Sequence, residues 1–241
     1  MARRSGKPVR RTCVRVLWLR LCSMRGNDSA VDPQGRYWVG TMNDPLVTEP
    51  TDEGEQPAQS LLRSCRNLTE ASGVLFRLDP DLTLHRMIEG VTIPNGTSWS
   101  PDGKTMYFAD SPTKNIFAYD FDGATGNISN KRVFFHVEDK NDGVPDGHVV
   151  DEEGHIWQAI FGGGKVIRIS PEGKVVAEIS LPTRCVSCPG FAGEDLYITT
   201  AEEEAPDKFP DSTKLQGSLF RCHVGVKGLG VHRFKYSGEK I

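Results

Sequence analysis

The sequence predicts an all-β protein, a β-propeller. Three observations predict it. A turn-and-strand unit recurs along the chain at a spacing of about 40–50 residues, within the range of propeller blades. The strands inside each unit alternate apolar and polar positions, with period two. No window sustains the i, i+3, i+4, i+7 apolar spacing that a helical repeat needs.

Each element of the repeat can be read in order. Four segments start a unit: Asp32-Pro-Gln-Gly-Arg-Tyr-Trp38, Ser100-Pro-Asp-Gly-Lys-Thr-Met-Tyr107, Asp151-Glu-Glu-Gly-His-Ile-Trp157 and Ala192-Gly-Glu-Asp-Leu-Tyr197. Each is a polar turn with Gly followed by an aromatic and β-branched run, and Gly supplies turn conformations that other residues resist. A second strand follows in each unit, as in Gly73–Leu78, Asn115–Asp120, Gly164–Ile169 and Gly217–Cys222. A third follows, as in Lys174–Ile179. The first interval is lengthened by a polar insert, residues 46–72, rich in Glu, Pro and Gly and expected to be an exposed loop.

Composition excludes several classes. The chain has 241 residues, 37% hydrophobic and 25% charged, as expected of a packed globular protein. Its formal net charge of -3 gives no overall bias toward nucleic acid or an anionic membrane. The apolar run Val16–Leu21 is broken by Arg20 and too short to span a bilayer. A cytoplasmic protein with neither a nucleic-acid nor a membrane partner is the expectation. Residues 1–24 carry seven Arg or Lys and no acid. This leader is expected to be disordered or a non-native start, with a mitochondrial transit peptide as an alternative. Six cysteines are present, and Cys185-Val-Ser-Cys188 is a lone CxxC. Zinc normally takes four ligands and no second pair exists, so buried free thiols are expected. The sequons at Asn67, Asn95 and Asn127 carry little weight without a secretory signal.

Polar residues placed just before the repeat turns are the candidates for chemistry. They are Arg25-Gly26-Asn27-Asp28, Pro94-Asn95-Gly96 and Pro145-Asp146-Gly147-His148. Matched positions in successive blades lie at one height on the propeller axis, so Asn27 or Asp28, Asn95 and Asp146 are expected to converge. Amide and carboxylate oxygens suit Ca²⁺, Mg²⁺ or Mn²⁺ and tolerate Zn²⁺. Such an ion polarises an ester carbonyl and holds a water. Asp146 would then be ligand and general base, with Arg25 holding substrate. Taken singly, Pro-Asn-Gly and Pro-Asp-Gly read as plain turns with a left-handed Gly. His148 alone reads as a packed or surface histidine. The repetition at matched places is what points to function.

These motifs also resemble a known family. Arg25-x-Asn27-Asp28-x-x-x-Asp32-x-x-Gly35-Arg36-Tyr37-Trp38-x-Gly40-Thr41-Met42, Ile93-Pro-Asn95-Gly-x-x-Trp99-Ser100 and Pro145-Asp146-Gly147-x-x-x-Asp151-x-x-Gly154-x-Ile156-Trp157 resemble the senescence-marker-protein/gluconolactonase/regucalcin family, in that order and at similar spacing. The resemblance implies a six-bladed propeller, one divalent metal in its channel, Ca²⁺ or Zn²⁺, and hydrolysis of sugar lactones or related small cyclic esters. It implies Asn95 and Asp146 as metal ligands, Asp146 as the base, and Arg25 and Asn27 as substrate contacts. Asp44 is an approximate stand-in for the family's acidic substrate-binding residue. Members carry roughly a further blade before the first motif, with a metal-binding Glu in it. In this chain no Glu precedes Glu49. The expectation is therefore an N-terminally incomplete propeller of about four to five blades. The alternative function is a non-catalytic calcium-binding or interaction propeller.

Overall fold

The structure is a computed structural model and describes residues 24–43, 71–138 and 143–238. The basic leader up to residue 23, Asp44, most of the insert, Cys13, Cys22, Cys65 and the Asn67 sequon lie outside the described residues. Met24, placed in the leader by the sequence reading, belongs to the first strand.

Fifteen strands form four antiparallel sheets among the described residues. The first sheet is β1 (Met24–Val31), β2 (Tyr37–Asn43), β3 (Gly73–Leu78) and β4 (Leu84–Val91). The second is β5 (Pro94–Trp99), β6 (Thr105–Asp110), β7 (Asn115–Asp122) and β8 (Asn127–His136). The third is β9 (Val144–Val150), β10 (Ile156–Phe161), β11 (Lys165–Ile169) and β12 (Val175–Ser180). The fourth has three strands, β13 (Val186–Ala192), β14 (Asp195–Thr200) and β15 (Leu219–His223). Every sheet pairs its strands in sequence order, so each is a meander built from local contacts. The sheets are propeller blades: their first strands, β1, β5, β9 and β13, pack successively side by side around a common channel.

The core lies between blades. Trp38 of blade 1 meets Trp99 and Phe121 of blade 2 edge-on, with ring centroids 5.8 and 6.2 Å apart. Edge-to-face contact sets the positive rim of one ring against the negative face of another. A second cluster joins Ala109 and Ile116 of blade 2 to Ile156 and Ile169 of blade 3. A third joins Trp157 and Val166 of blade 3 to Leu196 and Ile198 of blade 4. Each blade thus buries its faces against its neighbours, as in a repeat array.

The repeat turns are fixed by buried carboxylates. Asp32 accepts the backbone N–H groups of Gln34 and Arg36, at 2.9 Å each, and the indole N–H of Trp38 at 3.1 Å. Asp151 does the same for Glu153, His155 and Trp157, at 3.0, 2.9 and 2.9 Å. Spacing of six residues between Asp and Trp therefore has a cause: one carboxylate closes the turn and anchors the first core ring. Gly35 and Gly154 take positive φ, +92° and +83°, which the tight turn requires. In blade 2 Ser100 takes the Asp place, and its hydroxyl accepts the Thr105 N–H at 3.0 Å.

After β15 the chain runs without regular structure across the end of the channel. Leu229 N–H bonds to Val150 O, Lys235 N–H to Gly35 O and Ser237 N–H to Pro80 O, at 2.9, 3.0 and 2.9 Å. This strap links blades 3 and 4 to blade 1. No helix among the described residues is long and apolar enough to cross a membrane.

Candidate active site

All four inner strands carry a bulge at the same level. Asn27 and Asp28 together oppose Gly40 between the pairs Gly26–Thr41 and Ser29–Val39. Gly96 is the extra residue in β5, between Asn95–Ala109 and Thr97–Phe108. Asp146 and Gly147 together oppose Ala159 in β9. Ser187 is the extra residue in β13. A bulge breaks the ladder and re-aims the local side chains. Four of them in register turn a ring of polar residues toward one place on the axis.

This corrects the turn reading of Pro-Asn-Gly and Pro-Asp-Gly. Both tripeptides lie inside strands, and Gly96 and Gly147 are absent from the positive-φ residues. They are glycine because the next blade comes too close. A Cβ on Gly96 would collide with the His148 ring, and one on Gly147 would lie 2.5 Å from Cys188 Sγ. Gly40 of β2 is pressed in the same way by Pro94.

The candidate residues join across blades by hydrogen bonds. Asn27 Nδ2 donates to Pro94 O at 2.7 Å and to Asn95 Oδ1 at 3.0 Å. Arg25, exposed at the channel mouth, donates through Nη1 to Asn27 Oδ1 and Gly26 O, both at 3.0 Å. Asn95 Nδ2 donates to Ser111 Oγ at 2.7 Å, and Ser111 donates in turn to Pro145 O at 2.6 Å. Asn95 and the peptide preceding Asp146 are thus two hydrogen bonds apart, at the same end of adjacent strands. Arg25, Asn27, Asn95 and Asp146 are brought to one neighbourhood. Asp44 lies outside the described residues.

The electrostatics single out Asp146. Burial, and then the nearby Asp28 carboxylate, push its acid group up to about 7, against a weaker opposing hydrogen bond from Gly147 N–H. Asp28 is itself raised by burial, opposed by its hydrogen bond from Ser29 N–H. Two partly buried carboxylates stand close enough to repel, and a cation between them would relieve both effects.

Asn95 Oδ1 and Asp146 offer hard oxygen donors, with Asp28 adding charge. That chemistry fits a divalent cation with an oxygen shell completed by water. No group of three or more His, Cys, Asp or Glu suited to a metal occurs among the described residues.

Sequence reasoning missed four participants. Asp28 was weighed only as a substitute for Asn27, yet Asn27 bonds to Asn95 and Asp28 stands near Asp146. Ser111 and Gln158 lie on neighbouring elements, and their involvement depends on the three-dimensional register. Cys188 was expected to be a buried thiol. It is exposed to the channel, and Cys185 alone of the CxxC pair is fully buried. Desolvation, Asp28 and Asp146 push the Cys188 thiol up to about 12. Cys185 is also raised, chiefly by burial. Neither has the lowered pKa of a redox cysteine. The signal for Cys188 was positional: it follows its bulge as Asp28 follows Asn27.

A cavity of about 920 Å³ opens beneath this layer, lined among others by Asp28, Ser98, Trp99, His148, Cys188 and Leu229. Asn27, Asn95 and Asp146 do not line it. Convergent polar groups with a perturbed acid mark a site better than volume does, so the bulge layer is taken as the candidate centre.

Comparison with known proteins now decides the family. The SMP-30/Gluconolactonase/LRE-like region matches residues 10–202 of this sequence. The chain belongs to this SMP-30/gluconolactonase/LRE-like family. A putative sugar lactone lactonase of Bacillus subtilis is 35% identical over 210 residues, covering 86% of this chain and 64% of that protein. The solved luciferin-regenerating enzyme superposes with a TM-score of 0.74 at 30% identity, over 90% of this chain and 67% of that one. A calcium-binding protein, regucalcin, from Agrobacterium tumefaciens gives 0.74 at 28% identity, over 89% and 66%. The chain spans about two thirds of the length of these SMP-30/gluconolactonase/LRE-like relatives.

Proposed function

We propose that the protein is a metal-dependent hydrolase of sugar lactones or related small cyclic esters. The observation that carries this reading is Asp146, a desolvated carboxylate at a strand bulge, set against Asp28 and two hydrogen bonds from Asn95. The family, and the lactonase name of the Bacillus subtilis relative, support the same chemistry. The calcium-binding name of the Agrobacterium tumefaciens neighbour supports a divalent ion.

Asn95 and Asp146 would hold the ion, Ca²⁺ or Zn²⁺ by the family likeness and Mg²⁺ or Mn²⁺ by donor chemistry. When bound it supplies positive charge that polarises the ester carbonyl. Asp146 accepts the proton of the attacking water. Burial raises its affinity for a proton in the metal-free chain, and a cation beside it would draw it into the ionised form that accepts one. Arg25 and Asn27 orient ring hydroxyls or a substrate carboxylate at the channel mouth, with Asp44 the further contact expected from the family likeness. The substrate is a small molecule.

The test is a lactonase assay on a panel of sugar lactones with Ca²⁺, Zn²⁺, Mn²⁺ and Mg²⁺. Turnover should require one of these ions and fall by about 10²–10⁴-fold in Asp146→Asn. Metal binding without turnover in the unsubstituted protein would favour the non-catalytic calcium-binding propeller instead.

A further inference from the structure

We propose that Gln158, through its side-chain amide, and His148, by fixing that amide, are positioning residues that hold the Asp146 bulge in its working shape. The proposal deepens the reading of Asp146 as metal ligand and base, and rests on it.

Gln158 lies on β10 directly opposite His148 on β9. It is a polar side chain with 0% exposure in a strand that otherwise reads Ile-Trp-Ala-Ile. Its Nε2 lies 2.8 Å from Ala159 O, 3.0 Å from Asp146 O and 3.2 Å from Gly147 O. Only an NH₂ group can face three carbonyl oxygens, so the amide orientation is fixed. Two of those carbonyls belong to the bulge, where two residues oppose one and the regular ladder is broken. Gln158 supplies donors that the sheet does not.

The amide orientation propagates. Gln158 Oε1 faces His148 Nδ1 at 3.0 Å, so that nitrogen carries the proton. His148 Nε2 is then an acceptor, and Ser98 Oγ, at 2.7 Å, donates to it. The chain of donors therefore runs from Ser98 on β5 to His148 and Gln158, and ends on the carbonyls of Asp146 and Gly147. It spans two blades. Gly96 completes the contact, since any side chain there would displace the imidazole.

Ser98, His148 and Gln158 share the outline of a nucleophile, base and orienting group. The third member is a neutral amide, with no charge to stabilise an imidazolium, and both imidazole nitrogens are already engaged, by Gln158 and by Ser98. Positioning accounts for the whole network, including the three carbonyl contacts that a nucleophilic site would not need.

The experiment compares the unsubstituted protein with Gln158→Met and Ser98→Ala, using calorimetric titration with Ca²⁺ and with Mn²⁺ and thermal melts. Both substitutions leave a buried group unpaired and lower the melting temperature. Gln158→Met frees the bulge carbonyls and should weaken ion binding by about 10-fold, the scale of an outer partner of a metal ligand. Ser98→Ala leaves the Gln158 contacts intact and should keep binding within about twofold. Equal losses in both variants, or none in Gln158→Met, would overturn the proposal. Gln158→Val serves if the Met variant does not fold.

Nitrogen-15 NMR of the His148 ring in metal-free protein gives an independent readout. The proton should sit on Nδ1 in the unsubstituted chain. If that chain binds neither ion, the metal reading of Asp146 fails. The network is then judged by NMR alone. An Nδ1 proton, with Asp146 and Gly147 amide shifts that change in Gln158→Met but not in Ser98→Ala, sustains positioning. A proton on Nε2 overturns it.

Discussion

Asp146 and Asp151 stand five residues apart in sequence, within β9 and just beyond it, and the protein treats them as opposites. Asp151 accepts two backbone N–H groups, the Trp157 indole, and Arg168 through Nε and Nη2 at 2.9 and 2.7 Å. Among the described residues, the Asp146 carboxyl has a hydrogen bond from Gly147 N–H and Asp28 for a neighbour. Asp151 is fully buried and Asp146 partly so. One is saturated with donors and holds a turn to a core ring. The other is left short of donors, at a place where the sheet itself is interrupted. A buried acid that the fold has satisfied is structural. A buried acid that the fold has left wanting is available for a ligand or a proton.

The largest expected effect breaks the structural half of that contrast. Asp151→Ala strands the Arg168 guanidinium, the indole N–H and two turn amides, and should cost about 3–5 kcal/mol in urea unfolding. A loss under about 1 kcal/mol would mean that the clamp is incidental.

Asp146→Asn should do the reverse to the metal-free fold. The folded acid titrates near 7, above its ordinary value of 3.8, so the folded state binds protons more tightly than the unfolded chain. Between those values stability therefore falls as pH rises, and above 7 the full cost of the charge remains. Removing the charge should raise stability at pH 8 by roughly 1–3 kcal/mol, with the gain fading as pH drops toward 4. A variant less stable than the parent at pH 8 would place Asp146 with Asp151 as a structural acid.

The same variant sharpens the pH comparison. Burial lowers His148 from 6.5 to about 4, against a smaller raising effect from its hydrogen bond to Gln158. Its neutral form is the folded one, so its contribution is present above 6.5 and is lost as pH falls toward 4. In the parent, Asp146 offsets that loss over the same range. In Asp146→Asn the acid-side decline should stand alone and be steeper, as read from melting temperatures at pH 4.5 and 6.5.

The smallest effect concerns the glycine between these blades. Gly96→Ala forces its Cβ into the His148 ring and should cost about 1–3 kcal/mol, the range of an overpacked core. Its stability curve in urea would show this directly.

Much of the fold was legible because it is written locally. The Asp-to-Trp spacing in residues 32–38 and 151–157 encodes a turn whose backbone and indole bonds to the aspartate fall within six residues. The period of the units predicted a propeller, the family resemblance implied about four to five blades, and four are described. Asn27, Asn95 and Asp146 were singled out as candidates because they recur at matched places. The bulges were not legible, since a bulge is a property of two strands in register and the tripeptides that form it look like turns when read alone. Gln158 escaped for a related reason. A glutamine inside an apolar strand announces that something polar is near, but its partners come from the neighbouring strand and its histidine.

The strap beyond β15 brings Lys235 to Gly35, residues separated by 200 positions. Meander blades can form one after another as the ribosome delivers them, each from neighbours a few tens of residues away. This contact has to wait for a residue 200 positions further along. Entropy of closing so wide a loop grows only logarithmically, so the delay is one of search and not of final stability. Assembly should accordingly show a fast collapse of blades and a slower docking of the strap, and a nascent chain would hold its first sheet unfastened until that docking is complete.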